Sequence, residues 1–363
     1  MKITQQLHDL GQRIWLDNIT RELLSSGTLQ RYIDEYSVTG LTSNPTIFHN
    51  ALNNSSVYDD EIRTKFLAGK STGEIFMELA AEDLSRAADL FRPVHDATAG
   101  IDGWVSLEVT PSLAHDTAGT ISAALQLHTQ VNRPNLLIKI PGTAAGLAAI
   151  EELIFAGVAV NVTLLFSREQ YIAAAESYMR GLERRIAAGR DAVVGSVASL
   201  FISRWDVAVK DKVGDELHNR LGIAIAQRSY KAYRDLLAEP RWQALQAAGA
   251  RPQRLVWAST GSKDPAAAET LYIDALAAPG TINTIPDKTL LAFARQGEIK
   301  SVLTQDGGDA ERVLAAFSRA GVEAESLAAE LQREGTAAFA KSWDALMALI
   351  ASKTDALHRR WQS

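Results

Sequence analysis

The chain alternates between short apolar runs and longer stretches in which apolar residues recur at helical spacing. Runs rich in Val, Ile, Leu and aromatic residues predict strands, whereas apolar residues spaced three and four apart predict helices. The predicted strands are eight in number and cover residues 13–17, 37–42, 103–109, 135–140, 157–166, 191–198, 254–259 and 280–285.

Helical patterns fill the segments between these strands. They cover residues 18–25, 28–36, most of 47–100, 112–131, 144–155, 168–188, 207–250 with a break at Glu239-Pro240, 287–298 and most of 306–358. Strands that alternate with helices favour parallel βαβ units, and a count of eight favours an α/β fold of the closed (β/α)8, or TIM-barrel, type.

We therefore expect a single (β/α)8 barrel domain over residues 1–363, with additional helices that include a C-terminal helical extension. An open doubly wound sheet is the alternative fold. It is disfavoured because no Gly-x-Gly-x-x-Gly motif follows the first predicted strand.

Composition and charge narrow the possible partners. The chain is 47% hydrophobic and 22% charged, as is usual for a globular protein, and its formal net charge is −6. This charge gives no electrostatic reason to expect nucleic acid or an anionic membrane as a partner. The chain has no cysteine, which excludes disulfides and thiol catalysis. Without a signal-peptide pattern or an apolar run near ~18 residues, we expect a cytoplasmic protein.

One predicted strand carries a lysine in its middle. The run Asn135-Leu-Leu-Ile-Lys-Ile-Pro-Gly-Thr143 is apolar around Lys139, and Pro-Gly ends it. Burial disfavours the charged ammonium form, and a neutral lysine amine is a nucleophile for carbonyl carbon. Taken alone, Lys139 could instead reach solvent from the strand end or pair with a carboxylate.

Polar residues stand at the C-terminal ends of the first seven predicted strands. In chain order they are Asp17, Asn44, Glu108, Lys139, Thr163, Ser199 and Ser259. In a barrel of this type the C-terminal strand ends converge on one cavity, where the chemistry takes place. Each of these residues alone could be a helix cap or a turn residue. Together, a lysine amine, two carboxylates and several hydroxyl and amide groups suit Schiff-base chemistry on a polyhydroxylated carbonyl compound.

Two basic residues follow the sixth and seventh strands. Arg204 and Lys263 fall on late loops of the predicted barrel, which frequently bind phosphate. The alternative is that they form surface ion pairs with Asp206 and Asp264.

Metal-dependent aldol chemistry fits the sequence poorly. The seven histidines are scattered, with no His-x-x-x-His spacing, so we expect neither a metal nor a cofactor. His49 is the one histidine near the proposed cavity, and we interpret it as a surface residue.

Five segments resemble the signature strands of the transaldolase family, in the same order. They are Thr42-Ser-Asn-Pro-Thr46, Ser106-Leu-Glu-Val109, Leu137-Ile-Lys-Ile140, Asn161-Val-Thr-Leu-Leu-Phe-Ser167 and Ser199-Leu-Phe-Ile-Ser-Arg204. The resemblance spans about residues 13–290. It implies transfer of a dihydroxyacetone unit from sedoheptulose 7-phosphate to glyceraldehyde 3-phosphate. The sequence leaves the oligomeric state open between a monomer and a homodimer.

The resemblance also implies catalytic roles. Lys139 resembles the lysine that forms a Schiff base with the C2 carbonyl of a ketose phosphate. Glu108 and Thr163 resemble the pair that holds a water for proton transfer, and Asp17 resembles the base that takes the C4 hydroxyl proton.

Substrate binding is implied for a second group of residues. Asn44, Asn161 and Ser199 would hold the hydroxyls of the dihydroxyacetone unit, and Arg204 and Ser259 resemble phosphate ligands. One departure concerns the loop Ser259-Thr-Gly-Ser-Lys263. Better-known members of the family carry an arginine shortly after the serine, and here Lys263 would replace it as a point charge.

Two other functions remain as alternatives. A fructose-6-phosphate aldolase would use the same lysine and release free dihydroxyacetone. Those aldolases tend to carry Gln in place of Glu108 and Tyr in place of Phe201, so both residues here follow the transaldolase pattern. A non-catalytic sugar-phosphate binder would not need the acid and base residues that this chain retains.

Overall fold

The computed structural model describes residues 1–362, with side chains described for residues 1–355. Eight parallel strands run through this part of the chain. They are β1 (Arg13–Leu16), β2 (Val38–Thr42), β3 (Val105–Glu108), β4 (Leu136–Pro141), β5 (Val160–Leu165), β6 (Ser196–Phe201), β7 (Arg254–Ala258) and β8 (Ile282–Ile285). They pair in chain order and close into a barrel through β1 and β8, which confirms the predicted (β/α)8 fold.

The α-helices surround the barrel and cover its ends. Those of the first half are α1 (Ile3–Leu10), α2 (Arg21–Ser25), α3 (Thr28–Tyr36), α4 (Pro45–Asn53), α5 (Asp59–Leu67), α6 (Thr72–Ala97), α7 (Thr117–Val131) and α8 (Ala144–Ala156). Those of the second half are α9 (Arg168–Ala187), α10 (Ser203–Val209), α11 (Leu221–Ala238), α12 (Pro240–Ala247), α13 (Leu271–Ala275), α14 (Asp287–Gln296), α15 (Ala310–Arg319) and α16 (Ala324–Gln362).

Short 3₁₀ helices occupy Pro111–Leu113, Lys210–Lys212 and Asp215–Leu217. None of the described helices combines the length and the apolar character that crossing a lipid bilayer requires.

A layer of apolar side chains fills the barrel near the N-terminal ends of the strands. Its members are Trp15, Trp104, Leu137, Ala159, Val197, Val256 and Ile282. The two tryptophan rings require glycine beside them. A Cβ on Gly40 would lie 2.5 Å from Nε1 of Trp15, and a Cβ on Gly195 would lie 2.5 Å from Cζ2 of Trp104. The barrel interior is therefore packed here and leaves no channel.

A polar layer follows on the same interior face. Side chains in a strand alternate between two faces, so residues two positions beyond the apolar layer also point into the barrel. Six of the seven positions reached in this way are polar, namely Asp17, Ser106, Lys139, Asn161, Ser199 and Thr284, and the seventh is Ala258. The polar groups thus gather toward the C-terminal ends of the strands, as the sequence predicts.

The long helix α16 lies across this polar end. It packs against α4, α5 and α6 and against β5. Leu346 and Ile350 on its inner face are fully buried. The predicted C-terminal helical extension is thereby confirmed, and the helix is close enough to the strand ends to contribute to the site.

Several predicted boundaries were wrong. The sixth strand is Ser196–Phe201 rather than 191–198, so Ser199 lies within the strand. Asp191 accepts a hydrogen bond from the backbone N–H of Val193 at 3.0 Å, which fixes a turn where the valines predicted a strand. Arg204 lies in the first turn of α10 rather than on a loop. Helices α1 and α13 were not predicted.

Candidate active site

A polar cavity of about 400 Å³ opens at the C-terminal end of the barrel. Seven of the ten predicted site residues line it, namely Asp17, Asn44, Lys139, Ser199, Arg204, Ser259 and Lys263. The other three, Glu108, Asn161 and Thr163, are buried on the strands that flank Lys139. The structure therefore brings the predicted residues to one place.

Lys139 is buried in β4, with 5% of its surface exposed. Its Nζ donates a hydrogen bond to the backbone carbonyl of Ser43 at 3.1 Å. In the barrel register Glu108 lies opposite it on β3 and Asn161 lies opposite it on β5. Among the described residues the Lys139 amino group thus has one hydrogen-bond acceptor, a backbone carbonyl, and it faces the cavity. The alternative that Lys139 reaches solvent from the strand end is wrong.

Glu108 is buried beside Lys139, and neither of its carboxylate oxygens has a hydrogen-bond partner among the described residues. Burial raises the pKa of Glu108 to about 7, against the opposing attraction of Lys139 and with a further contribution from Asp17. The hydroxyl of Thr163 is likewise buried without a partner. Glu108 can therefore gain or lose a proton near neutral pH, which is the property of a general acid or base.

Asp17 is held by a pair of threonines. Thr42 donates a hydrogen bond to Oδ1 of Asp17 at 2.8 Å, and its hydroxyl oxygen lies 2.6 Å from that of Thr284. Because Thr42 has one hydroxyl hydrogen, Thr284 donates to Thr42 in this arrangement. Burial raises the pKa of Asp17, against the opposing effects of Lys139, of the Thr42 hydrogen bond and of Lys263.

A buried row of polar groups crosses the floor of the cavity. Ser199 donates to Oδ1 of Asn161 at 2.8 Å, and Nδ2 of Asn161 donates to Ser106 at 3.1 Å. Asn44 lies above this row, where its Oδ1 caps α4 by accepting from the N–H of Ile47 at 3.0 Å. Asn44 is therefore both a helix cap and a lining residue, and its amide nitrogen remains to bind a ligand.

The basic end of the cavity contains Arg204, Ser259 and Lys263. The Arg204 guanidinium lies over the ring of Phe201, 5.6 Å from its centroid. Burial lowers the pKa of Arg204, against the attraction of Glu334 on α16. Ser259 adopts a left-handed backbone conformation with φ of 54°. These groups form a half-buried anion site beside a solvent-exposed lysine.

The alternative that Arg204 and Lys263 form ion pairs with Asp206 and Asp264 is wrong. Asp206 instead accepts hydrogen bonds from the hydroxyl of Tyr272 at 2.7 Å and from backbone N–H groups of α11. Asp264 accepts from Lys210 at 3.2 Å and from Asn219 at 2.8 Å. Both cations therefore remain directed at the cavity.

Sequence reasoning missed several residues of the site. They are Thr42, Ser43, Ser106, Thr284 and Phe339, of which Thr42, Thr284 and Phe339 line the cavity. The two-residue alternation within strands could have identified Ser106 and Thr284, since each stands two positions beyond an apolar interior residue.

No group of three or more His, Asp or Glu side chains is positioned to hold a metal ion in the part of the chain with described side chains.

Comparison with known proteins agrees with the geometry. The family model described as "Transaldolase/Fructose-6-phosphate aldolase" matches residues 14–350. A curated transaldolase of Thermobifida fusca is 44% identical over 358 residues, covering 96% of this chain and 97% of that protein. A transaldolase of Saccharopolyspora erythraea is 42% identical, covering 97% of both chains, and one of Frankia alni is 43% identical, covering 96% of both.

Proposed function

The chain belongs to the transaldolase/fructose-6-phosphate aldolase family and is an enzyme of the transaldolase type, and we propose that it works through a Schiff base on Lys139. The reaction moves a dihydroxyacetone unit from sedoheptulose 7-phosphate to glyceraldehyde 3-phosphate and gives erythrose 4-phosphate and fructose 6-phosphate. The observation that carries this mechanism is the buried amine of Lys139 between Glu108 and Asn161.

The first step forms the imine. The neutral amine of Lys139 attacks C2 of the ketose phosphate, and the resulting carbinolamine loses its oxygen as water. Glu108 supplies and accepts the protons of this exchange, since its pKa of about 7 allows both forms at neutral pH. The unpartnered oxygens of Glu108 and the hydroxyl of Thr163 suit a water held between them.

The second step cleaves the bond between C3 and C4. Asp17 takes the C4 hydroxyl proton, the C3–C4 electron pair moves toward the protonated imine, and an enamine forms on Lys139. Erythrose 4-phosphate leaves. The same steps in reverse add the enamine carbon to the aldehyde of glyceraldehyde 3-phosphate, and hydrolysis then releases fructose 6-phosphate and regenerates the amine.

Binding uses the floor and the basic end of the cavity. Asn44, Asn161 and Ser199 hold the hydroxyls of the dihydroxyacetone unit, in line with the hydrogen-bonded row they form. Arg204, Ser259 and Lys263 bind the phosphate, and Lys263 takes the place of the arginine of better-known relatives. A point charge on a flexible stem can neutralise phosphate without the bidentate geometry of arginine.

Borohydride trapping tests the mechanism. Enzyme is incubated with fructose 6-phosphate, reduced with borohydride, and analysed by intact and peptide mass. We expect a covalent three- or six-carbon adduct on the peptide that contains Lys139 and none in the matched Lys139→Arg variant.

Adding glyceraldehyde 3-phosphate before reduction should then discharge the three-carbon adduct. An adduct on another lysine, or no adduct when binding of fructose 6-phosphate is measured independently, would overturn the proposal.

A further inference from the structure

The C-terminal helix contributes an aromatic wall to the cavity. Phe339 on α16 lines the cavity and is 7% exposed. Its ring lies over Nζ of Lys139, 5.8 Å from the amine to the ring centroid. It continues a row of rings, with centroids 6.4 Å apart between Phe339 and Phe201 and 5.3 Å apart between Phe201 and Phe166.

Helix α16 is anchored to the strands that carry the catalytic residues. The side-chain amide of Gln332 donates to the carbonyls of Gly142, after β4, and of Leu164, in β5, at 3.1 and 3.0 Å. Leu164 has a φ of 58°, a conformation that costs free energy for a residue with a side chain and persists only when its surroundings hold it. Gly335 packs against the same leucine, where a Cβ would approach Cδ2 to 2.9 Å. The position of Phe339 is thus fixed relative to Lys139 and Thr163.

An enamine on Lys139 has two possible fates. Its C3 can attack the acceptor aldehyde, which forms the new carbon–carbon bond. Alternatively, C3 takes a proton from water, water adds to C2, the C2–Nζ bond breaks, and free dihydroxyacetone leaves with the amine regenerated. The outcome depends on whether water reaches C3 before the acceptor does.

We propose that Phe339 keeps water from the enamine on the cavity side of Lys139 and so favours transfer of the three-carbon unit over its release. This inference rests on the proposed function. Phe339 lines the cavity, whereas Glu108 and Thr163, which would hold the hydrolytic water, are buried on the neighbouring strands. An aromatic face suits this place because it is apolar and yet attracts the cationic imine.

The test compares two rates for the same enzyme. One is release of free dihydroxyacetone from fructose 6-phosphate alone, and the other is transfer to erythrose 4-phosphate. Removing the ring with Phe339→Ala should raise the ratio of release to transfer about tenfold, which corresponds to a barrier difference of about 1.4 kcal/mol. Phe339→Leu, which keeps an apolar side chain over the amine, should leave the ratio near that of the wild type.

A matched control distinguishes the effect of the Phe339 ring from the effect of weaker packing of α16. Leu346 lies on α16 two turns beyond Phe339, is fully buried, and does not line the cavity. Leu346→Ala should therefore weaken helix packing without changing the ratio. Phe339→Gln is measured in parallel, because it retains side-chain length but replaces the apolar ring with a polar group that admits water. It tests the inference even if Phe339→Ala does not fold.

An unchanged ratio in the folded Phe339→Ala or Phe339→Gln enzyme would overturn the inference, as would an equal rise in Leu346→Ala. Borohydride trapping of the wild type distinguishes a failure of the proposed function from a failure of this inference. If the wild type forms no adduct on Lys139, the proposed function fails. If it forms the adduct and the ratio does not respond to Phe339, the inference alone fails.

Discussion

The two ends of the barrel differ in the partners that surround a buried carboxylate. At the N-terminal end, Asp102 is almost fully buried and accepts a hydrogen bond from Nε1 of Trp15 at 2.9 Å. Guanidinium nitrogens of Arg13 and Arg254 lie 3.4 and 3.5 Å from its carboxylate oxygens. At the C-terminal end, Glu108 is buried with both oxygens unpartnered among the described residues.

This difference distinguishes a carboxylate that stabilises the fold from one that takes part in the reaction. A buried carboxylate with cations against it belongs to the packing of the barrel, and its loss should cost stability. A buried carboxylate without partners is costly in the folded state and is retained where it serves a reaction. Residues at the two ends should therefore respond to substitution in opposite ways.

The largest effect is expected at Lys139. Lys139→Arg keeps a positive charge but should lower kcat by ~10³-fold or more, because a guanidinium does not form the imine that the mechanism requires. Thermal unfolding should change little by comparison. The measurement is kcat with fructose 6-phosphate and erythrose 4-phosphate, together with Tm. A variant with substantial turnover would remove Lys139 from the chemistry.

Substitution of Asp102 should have the reverse outcome. Asp102→Ala leaves the guanidinium groups of Arg13 and Arg254 without their buried partner and should lower the free energy of unfolding by ~3 kcal/mol, measured by urea denaturation. The kcat of the folded enzyme should stay within about twofold of the wild type, because the residue lies at the opposite end from the cavity.

Asp102→Asn serves as the matched control, because it retains an oxygen that can accept from Trp15 and loses the charge alone. Its loss of stability should be smaller than that of Asp102→Ala. A large fall in kcat for a folded Asp102 variant would contradict the division between the two ends.

The barrel and its polar end were predictable because both follow from local patterns. Eight apolar runs separated by helical segments predicted the topology, and Lys139 stands out as a lysine inside an apolar strand. The strand boundary at Ser196 was not predictable in this way. The valines before it have high strand propensity, but the side chain of Asp191 holds them in a turn that only the three-dimensional contacts disclose.

The residues that the sequence did not indicate act through distant contacts. Ser43 contributes a backbone carbonyl to Lys139, and a backbone group has no signature in the residue type. Phe339 comes from the last helix of the chain, and a phenylalanine at helical spacing ordinarily indicates core packing. Phe339 therefore lines the cavity only because α16 packs across the barrel end, and no local sequence pattern predicts that packing.

The last prediction concerns the pH dependence of stability at Glu108. Its folded-state pKa of about 7 lies above the ordinary value of 4.5, so the folded protein binds more protons than the unfolded chain between these pH values. Its contribution to stability is fully present below about pH 4.5 and is lost as the pH rises through 7. The total loss is about 3 kcal/mol at 1.36 kcal/mol per pH unit.

Glu108→Gln should remove this dependence, because an amide resembles the protonated acid and does not ionise. The variant should be more stable than the wild type at pH 8 by up to ~3 kcal/mol, and the two should converge near pH 4.5. It should also lose turnover, because the amide cannot exchange a proton with the reacting groups. Glu330→Gln, which removes an exposed carboxylate, is the control. If the difference in unfolding free energy between Glu108→Gln and the wild type does not change from pH 5 to pH 8, ionisation of the buried Glu108 carboxylate does not destabilise the fold, and the contrast between the two ends of the barrel fails.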